Sequence, residues 1–346
     1  MSYANLGWLF YKKMYEKGDD AGHIKSTMDI LLNVDAKDES MNAPHCFTLK
    51  TIYPGLLIGS GYPHGLSVES DAKIGFYFDH TTGVPNIPGS SIKGILRSLF
   101  GCNKKDLYPE AKQQMIKELL KNDSLDVEAL AAEIFDGIDA QTKKPLSIYK
   151  RDRFLEARVL KTAGKLLADD YITPHKDPIK NPIPIRFIKV QSGIEYEFSF
   201  LLNDGIITAD EKLKVFFQLL QFHGVGAKTN VGYGQFEHID VTKFDKERSA
   251  KKQEELEKIA QEKNEQEKKA RQEELKNLPL EMQIFESHKD NMPIFITMLD
   301  QNKFDEALKI PLAKLIKQEL QKLNAWDGAK QDKAVKRKAI IEKILE

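Results

Sequence analysis

Cysteine is nearly missing: the 346 residues hold only Cys46 and Cys102. They lie far apart and in no CxxC or Cys/His spacing, which argues against a disulfide framework and a structural zinc site and fits a reducing cytoplasm. No apolar run approaches the length needed to cross a bilayer, and the N-terminus lacks a basic stretch followed by an apolar segment. The expectation is a soluble, unprocessed, cytoplasmic chain with no membrane partner. An excess of one charge is also missing, because 52 Lys+Arg balance 52 Asp+Glu. Residues 1–244 hold 30 basic and 31 acidic side chains, so no basic half is hidden. A polyanion must therefore be met by a local patch. One candidate patch runs from Lys143 to Lys165, where Lys143, Lys144, Lys150, Arg151, Arg153, Arg158, Lys161 and Lys165 face only Asp152 and Glu156. The alternative for it is a solvated loop and helix face.

The segment from Phe244 to about Asn277 is nearly all Lys, Glu, Gln, Arg and Ala, without Pro or Gly, and predicts a long solvated helix. It divides the chain into residues 1–243, a charged helical linker at 244–277, and a small helical domain at 278–346. In the last, Phe304, Ala307, Leu308, Leu312, Leu315, Ile316 and Leu320 recur at helical spacing, and Trp326-Asp327-Gly328 reads as a turn between helices.

The first region alternates strands and helices. Strands are expected at Phe47–Ile52, Ile74–Phe78, Ile183–Val190, Ile194–Leu202 and Tyr233–Val241, rich in β-branched and aromatic residues. Helices are expected at Ser91–Phe100, Tyr108–Lys121, Val127–Ile134, Lys150–Leu167 and Ala209–Gln221. The order fits an α+β sheet with helices on one face, the ferredoxin-like arrangement.

Two segments carry chemistry. Residues 83–101 read GVPNIPGSSIKGILRSLFG. Pro85 and Pro88 force an extended approach, Gly89 allows a tight turn, and Ser90 or Ser91 is suited to cap the following helix. Free N–H groups at such a terminus favour phosphate, and Lys93 and Arg97 put two cations on one helical face beside it. Gly94, costly inside a helix, points to a ligand or another backbone passing close by. A plain capped helix is the alternative. Residues 224–236 read GVGAKTNVGYGQF, with four glycines that let a polyanion approach main-chain amides. A Walker loop is excluded because Ala227 precedes Lys228, and the dinucleotide fingerprint because Thr229 stands where the third glycine belongs. A turn closing the sheet is the alternative. Tyr233 is a candidate for stacking a base, with core burial as the competing role.

Together the two segments resemble the RAMP superfamily, and most specifically the small RAMP subunit beside the head end of Cmr-type (type III-B) CRISPR effector complexes. The glycine-rich LLIGSGYPHG at 56–65, and TPHK and NPIPIRFIKV within 171–190, fall in the matching order. The resemblance covers about residues 45–241. It implies an RNA-recognition-like (ferredoxin-like) core with insertions, which packs on neighbouring subunits of a hetero-oligomer and grips guide crRNA toward its 3′ part, near target RNA. Carried over residue by residue, the RNA-binding positions are Gly89, Ser90, Ser91, Lys93 and Arg97, then Gly224, Gly226, Ala227, Lys228 and Thr229. No catalytic residue, metal or cofactor is implied. The chain departs from the pattern where Asp136 separates Phe135 from Gly137, and in the tail from about Phe244, which has no counterpart in the family core.

Metal-independent RNA cleavage needs a general base near a 2′-hydroxyl and an acid for the leaving oxygen. His45, His64, His80, His175 and Asp136 are the candidates, and none has a partner identifiable from spacing. A structural cap, with the glycine loops serving subunit packing, is the third reading.

Overall fold

The computed structural model describes residues 5–59, 76–103, 106–162, 164–173, 184–323, 326 and 332–346. The chain divides into two compact units, Met1–Lys243 and Phe244–Glu346.

The first unit opens with α1 (Leu6–Tyr11) and α2 (Ala21–Leu32), followed by β1 (His45–Lys50). Then come α3 (Gly89–Leu99), α4 (Pro109–Leu120) and α5 (Val127–Ala131), the last running into one π-helical turn at Ala132–Asp136. β2 (Arg153–Phe154), β3 (Arg158–Lys161), β4 (Leu167–Ile172), β5 (Ile185–Val190), β6 (Glu195–Leu201) and α6 (Ala209–His223) complete it. Strand β6 is the centre of an antiparallel sheet: β1 pairs along one edge, while β2 and β3 share the other. β4 and β5 form a separate two-stranded hairpin.

Alternation along β6 puts Tyr196, Phe198 and Phe200 on one face. Phe47 of β1 stacks on Phe198, and α6 lays Phe217 against Phe47 and Phe216 against Phe200 and Phe154. The aromatic layer continues through Phe135 to Phe100 at the end of α3. Each such side chain buries a large apolar area, and the edge and offset contacts add to it. The opposite face is closed over Glu197, whose carboxylate accepts from Ser40 Oγ at 2.8 Å and Met41 N at 3.2 Å. α6 begins in a capping box in which Thr208 and Glu211 satisfy one another's backbone amides.

Lys212 of α6 is 1% exposed. Its ammonium lies 2.8 Å from Asp152 Oδ2 and 3.1 Å from Glu133 Oε1, and donates to the Asn203 carbonyl at 2.8 Å. A buried cation is tolerated because two carboxylates and a carbonyl replace its water. The cluster ties α6 to the π-helical turn and to the residue that precedes β2.

Three sequence expectations are corrected. Lys150–Leu167 is not a helix but β2, β3 and the start of β4. Its Lys, Arg, Glu and Leu content favours a helix locally, but pairing with β6 and the Ile87–Ala157 bridge override that preference. Tyr233–Val241 is not a strand: the described structure has a single Phe236–Thr51 bridge there, because Gly232 and Gly234 take φ of +96° and +72° and break the extended run. Ile74 and Gly75 lie outside the described residues, and among the described residues Phe76–Phe78 pairs in no strand ladder.

The second unit holds most of α7 (Val241–Lys276), then α8 (Leu280–His288), α9 (Met292–Asp300), α10 (Glu306–Lys322) and α11 (Asp332–Leu345). α7 is almost wholly solvated, whereas the following helices enclose a core of Phe285, Phe295, Ile296, Leu299, Leu312, Ala313, Ile316, Trp326 and Ile341. Trp326 is a core residue between α10 and α11, flanked by Lys317 and Lys338; Asp327 and Gly328 lie outside the described residues.

Candidate RNA interface

The extended lead-in that Pro85 and Pro88 dictate is fastened by buried polar contacts. Tyr196 donates its hydroxyl to the Pro85 carbonyl at 2.8 Å. Asn86, fully buried, donates to Asp38 and accepts from Val159 N. Ile87 exchanges both backbone hydrogen bonds with Ala157. Gly89 opens α3 where a Cβ would fall 2.2 Å from the Phe154 carbonyl oxygen, so only glycine lets the helix start against β2. Pro88 occupies the cap position without a side-chain hydrogen bond; Ser90 and Ser91 lie inside the first turn and are exposed. The expected serine cap is absent because the helix begins earlier than either serine. That leaves both hydroxyls facing outward beside the helix terminus.

On the same helix, Ile92, Leu96 and Leu99 are buried. Lys93 Nζ lies 5.8 Å from the centre of the Phe154 ring. Arg97 is held by Asp136 in a two-point ion pair, Nη1 to Oδ1 at 2.8 Å and Nη2 to Oδ2 at 3.0 Å. Gly94 is exposed, and a Cβ there would meet no protein atom within 4 Å among the described residues.

The second segment follows α6 and lies on the backbone of residues 55–57. Val225 N donates to Gly234 O, Gly234 N to Gly55 O, and Ala227 N to Leu57 O, all within 2.9 Å. A Cβ at Gly226 would sit 2.3 Å from the Leu57 oxygen, and one at Gly234 1.8 Å from the Val225 oxygen. These glycines thus serve close backbone packing. Gly226, Ala227, Lys228, Asn230 and Val231 remain exposed at the tip, with Thr229 partly covered and Lys228 at φ +60°. Gly224 ends α6, and a short 3₁₀ turn covers Thr229–Val231. No hydrogen bond or ion pair joins α3 to this loop among the described residues. The first adjoins β2, the second the Thr51 end of the sheet.

Tyr233 is 9% exposed and packs on Phe187. Its hydroxyl donates to Asp170 Oδ2 at 2.8 Å, and Asp170 also takes Lys189. Burial and the Asp170 hydrogen bond push the Tyr233 pKa up to about 12. Burial favours the neutral form of Asp170, but the bonds from Lys189 and Tyr233 outweigh it and hold that carboxyl below its ordinary value. Lys189 Nζ also stands 5.8 Å from the ring of Tyr53, which is 83% exposed. Sequence reasoning missed Tyr53; a lone Tyr before Pro54 gives no periodic signal, and only the β4–β5 hairpin brings Lys189 to it.

The basic run resolves into separate fates. Arg158 is paired with Glu156 and Asp38, and Lys161 with Glu195. Arg151 donates to the Leu146 carbonyl. Lys143, Lys144, Lys150, Arg153 and Lys165 are exposed. Of the cleavage candidates, His45 accepts from Leu202 N, His80 is exposed, Asp136 is paired with Arg97, and His64 and His175 lie outside the described residues. Among the described residues no group of three His, Cys, Asp or Glu is placed to hold a metal, and no helix is long and apolar enough to cross a membrane.

Comparison with solved structures gives similarity to a chain of a type III-B Cmr-beta complex bound to cognate target RNA (22% identity, TM-score 0.39, 56% of this chain and 58% of that one). Cmr6 from Pyrococcus furiosus is similar at 23% identity and TM-score 0.33, over 58% of this chain and 100% of that one. A chain of a type III-A Csm–crRNA–target RNA ternary complex is similar at 16% identity and TM-score 0.23, over 51% and 72%. The match to the Cmr-beta chain thus spans less than two thirds of that chain's length. No curated relative matches the sequence. The family model of the RAMP superfamily matches residues 48–237, more than half of the chain and the stretch holding both glycine-rich segments, most of the central sheet and α6. The chain belongs to the RAMP superfamily.

Proposed function

We propose that this chain is a non-catalytic subunit of a type III-B CRISPR ribonucleoprotein effector. It binds the guide crRNA backbone toward its 3′ part, packs on neighbouring Cmr-type subunits near the target RNA, and acts in the cytoplasm in RNA-guided antiviral defence. Gly89, Ser90, Ser91, Lys93 and Arg97 would serve phosphates on one side, and Gly224, Gly226, Ala227, Lys228 and Thr229 on the other. The observation that carries the reading is the tip of the glycine loop. Its backbone is clamped to residues 55–57, yet Lys228 is presented outward at a fixed positive φ. An exposed tip of tethered backbone carrying one cation suits a phosphate, and phosphate contacts position RNA without reading its sequence.

The test is guide-RNA crosslinking in the purified complex at several salt concentrations. Wild type is compared with a Lys93→Ala, Arg97→Ala, Lys228→Ala triple variant, with assembly followed in parallel. Loss of crosslinks to this subunit in an assembled complex supports the proposal. Each lost phosphate contact should lower the salt slope by about 0.7 for a single strand. A structural cap is the second reading, favoured by Gly226 and Gly234, which pack backbone on backbone, and by Asp136 occupying Arg97. It predicts failed assembly with unchanged crosslinking in whatever complex forms.

A further inference from the structure

The surface that follows Asp136 is built like a platform. Residues 137–146 form a tight hairpin in which Ile138 bridges Pro145 and Asp139 N donates to Lys144 O at 2.9 Å. Lys143 N returns to Asp139 O at 2.9 Å, and Leu146 N donates to Gly137 O at 2.7 Å. The Asp139 carboxylate is engaged by Gln141 N, Thr142 N and the Thr142 hydroxyl, so the tip is fixed from inside. Its base is fixed as well: Arg151 donates to Leu146 O at 2.9 Å, and Asp152 is buried against Lys212. On this scaffold a 3₁₀ turn at Ile148–Lys150 holds Tyr149 84% exposed and Ile148 69% exposed. Lys143, Lys144, Lys150 and Arg153 surround them in sequence and are exposed.

An aromatic ring and an aliphatic side chain displayed on a tethered turn, in a stretch of chain with four exposed cations, match what a single-stranded nucleic acid offers: a π-face to stack and phosphates to neutralise. A duplex would leave the ring unused, because its bases are already stacked. A protein partner fits less well, since lysine is depleted at protein–protein interfaces. We propose that Tyr149 stacks an unpaired RNA base while Lys143, Lys144, Lys150 and Arg153 take the flanking phosphates, a contact separate from α3 and the glycine loop. The proposal extends the RNA-binding reading above. The hairpin that carries the platform begins directly after Asp136, the ion-pair partner of Arg97.

The experiment measures binding of the full chain to a fluorescein-labelled oligouridine by anisotropy across a salt series, with circular dichroism melting run on every variant. Tyr149→Ala should weaken binding about tenfold with an unchanged salt slope, as loss of one base–aromatic stack implies. Tyr149→Phe should restore it. A Lys143→Ala, Lys144→Ala variant should flatten the slope by about 1.4, at about 0.7 per phosphate. A Lys93→Ala, Lys228→Ala variant is titrated beside them. If it alone loses affinity, the platform is overturned and the RNA-binding reading stands; if the Tyr149 and Lys143/Lys144 variants lose affinity and it does not, the platform stands and the grip assigned to Lys93 and Lys228 fails. Unchanged RNA affinity in Tyr149→Ala, with assembly into the effector lost, also overturns the proposal and makes the platform a subunit contact.

Discussion

Arg97 and Asp136 meet in a two-point ion pair between α3 and the end of the π-helical turn, at 2.8 and 3.0 Å, with about half of each side chain in solvent. A guanidinium held this way is oriented for a phosphate yet already neutralised. Asp136→Asn should therefore strengthen RNA binding and steepen its salt slope by up to about 0.7. The change should alter stability by no more than about 1 kcal/mol, since half-exposed pairs contribute little. Anisotropy titration of the variant checks this. Weaker RNA binding in Asp136→Asn would mean that the pair itself organises the surface.

Glycines 89 and 94 occupy one helix and make opposite predictions. Gly89→Ala drives a methyl to 2.2 Å from the Phe154 oxygen, so the helix start must lift from β2. It should lose about 2 to 3 kcal/mol, a steric penalty at the upper end of ordinary point mutations. Gly94→Ala points a methyl into open space and should gain about 1 kcal/mol of stability from helix propensity. Urea unfolding measures both. A Gly94→Ala protein that gains stability but loses RNA affinity would bring the guide backbone against that face.

Lys212 sits 1% exposed between Asp152 and Glu133. Lys212→Ala leaves two carboxylates facing each other without their cation and should cost about 3 to 5 kcal/mol. The chain has two tryptophans, Trp8 in the first unit and Trp326 in the second. Urea unfolding in a Trp326→Phe background therefore isolates the first unit through Trp8 fluorescence. A loss under 1 kcal/mol would show that the cluster contributes no net stability.

The Tyr233–Asp170 contact gives stability a pH signature at both ends. Tyr233, pushed up to about 12 when folded, keeps its proton after the unfolded tyrosine has ionised near pH 10. Its contribution is full below about pH 10 and is lost as pH rises through about 12. Asp170 is held low, so its contribution is present above the unfolded carboxyl range near 4 and is lost as pH falls through the lower folded value. Tyr233→Phe should flatten the alkaline fall relative to wild type. Equal slopes in thermal melts of the two proteins between pH 10 and 12 would refute the contact.

Periodicity and turn chemistry, acting locally, were enough to place α3, α4 and α6, strands β1, β5 and β6, and the long charged α7. The two glycine-rich segments were also legible, because proline fixes φ and glycine opens positive φ before any partner is chosen. Sequence could not decide residues 150–167, whose helix-forming side chains pair as strands only because β6 offers an edge, nor residues 233–241, where the positive φ of Gly234 ends the extended run. It placed Lys212 in a helix but gave no sign that two carboxylates 60 and 79 positions away would bury it. Arg97 was identified as a cation; that Asp136 would neutralise it, and that Tyr149 would stand out on a fixed turn beyond that pair, depended on distant backbone segments meeting, which is an outcome of packing and not of any local rule.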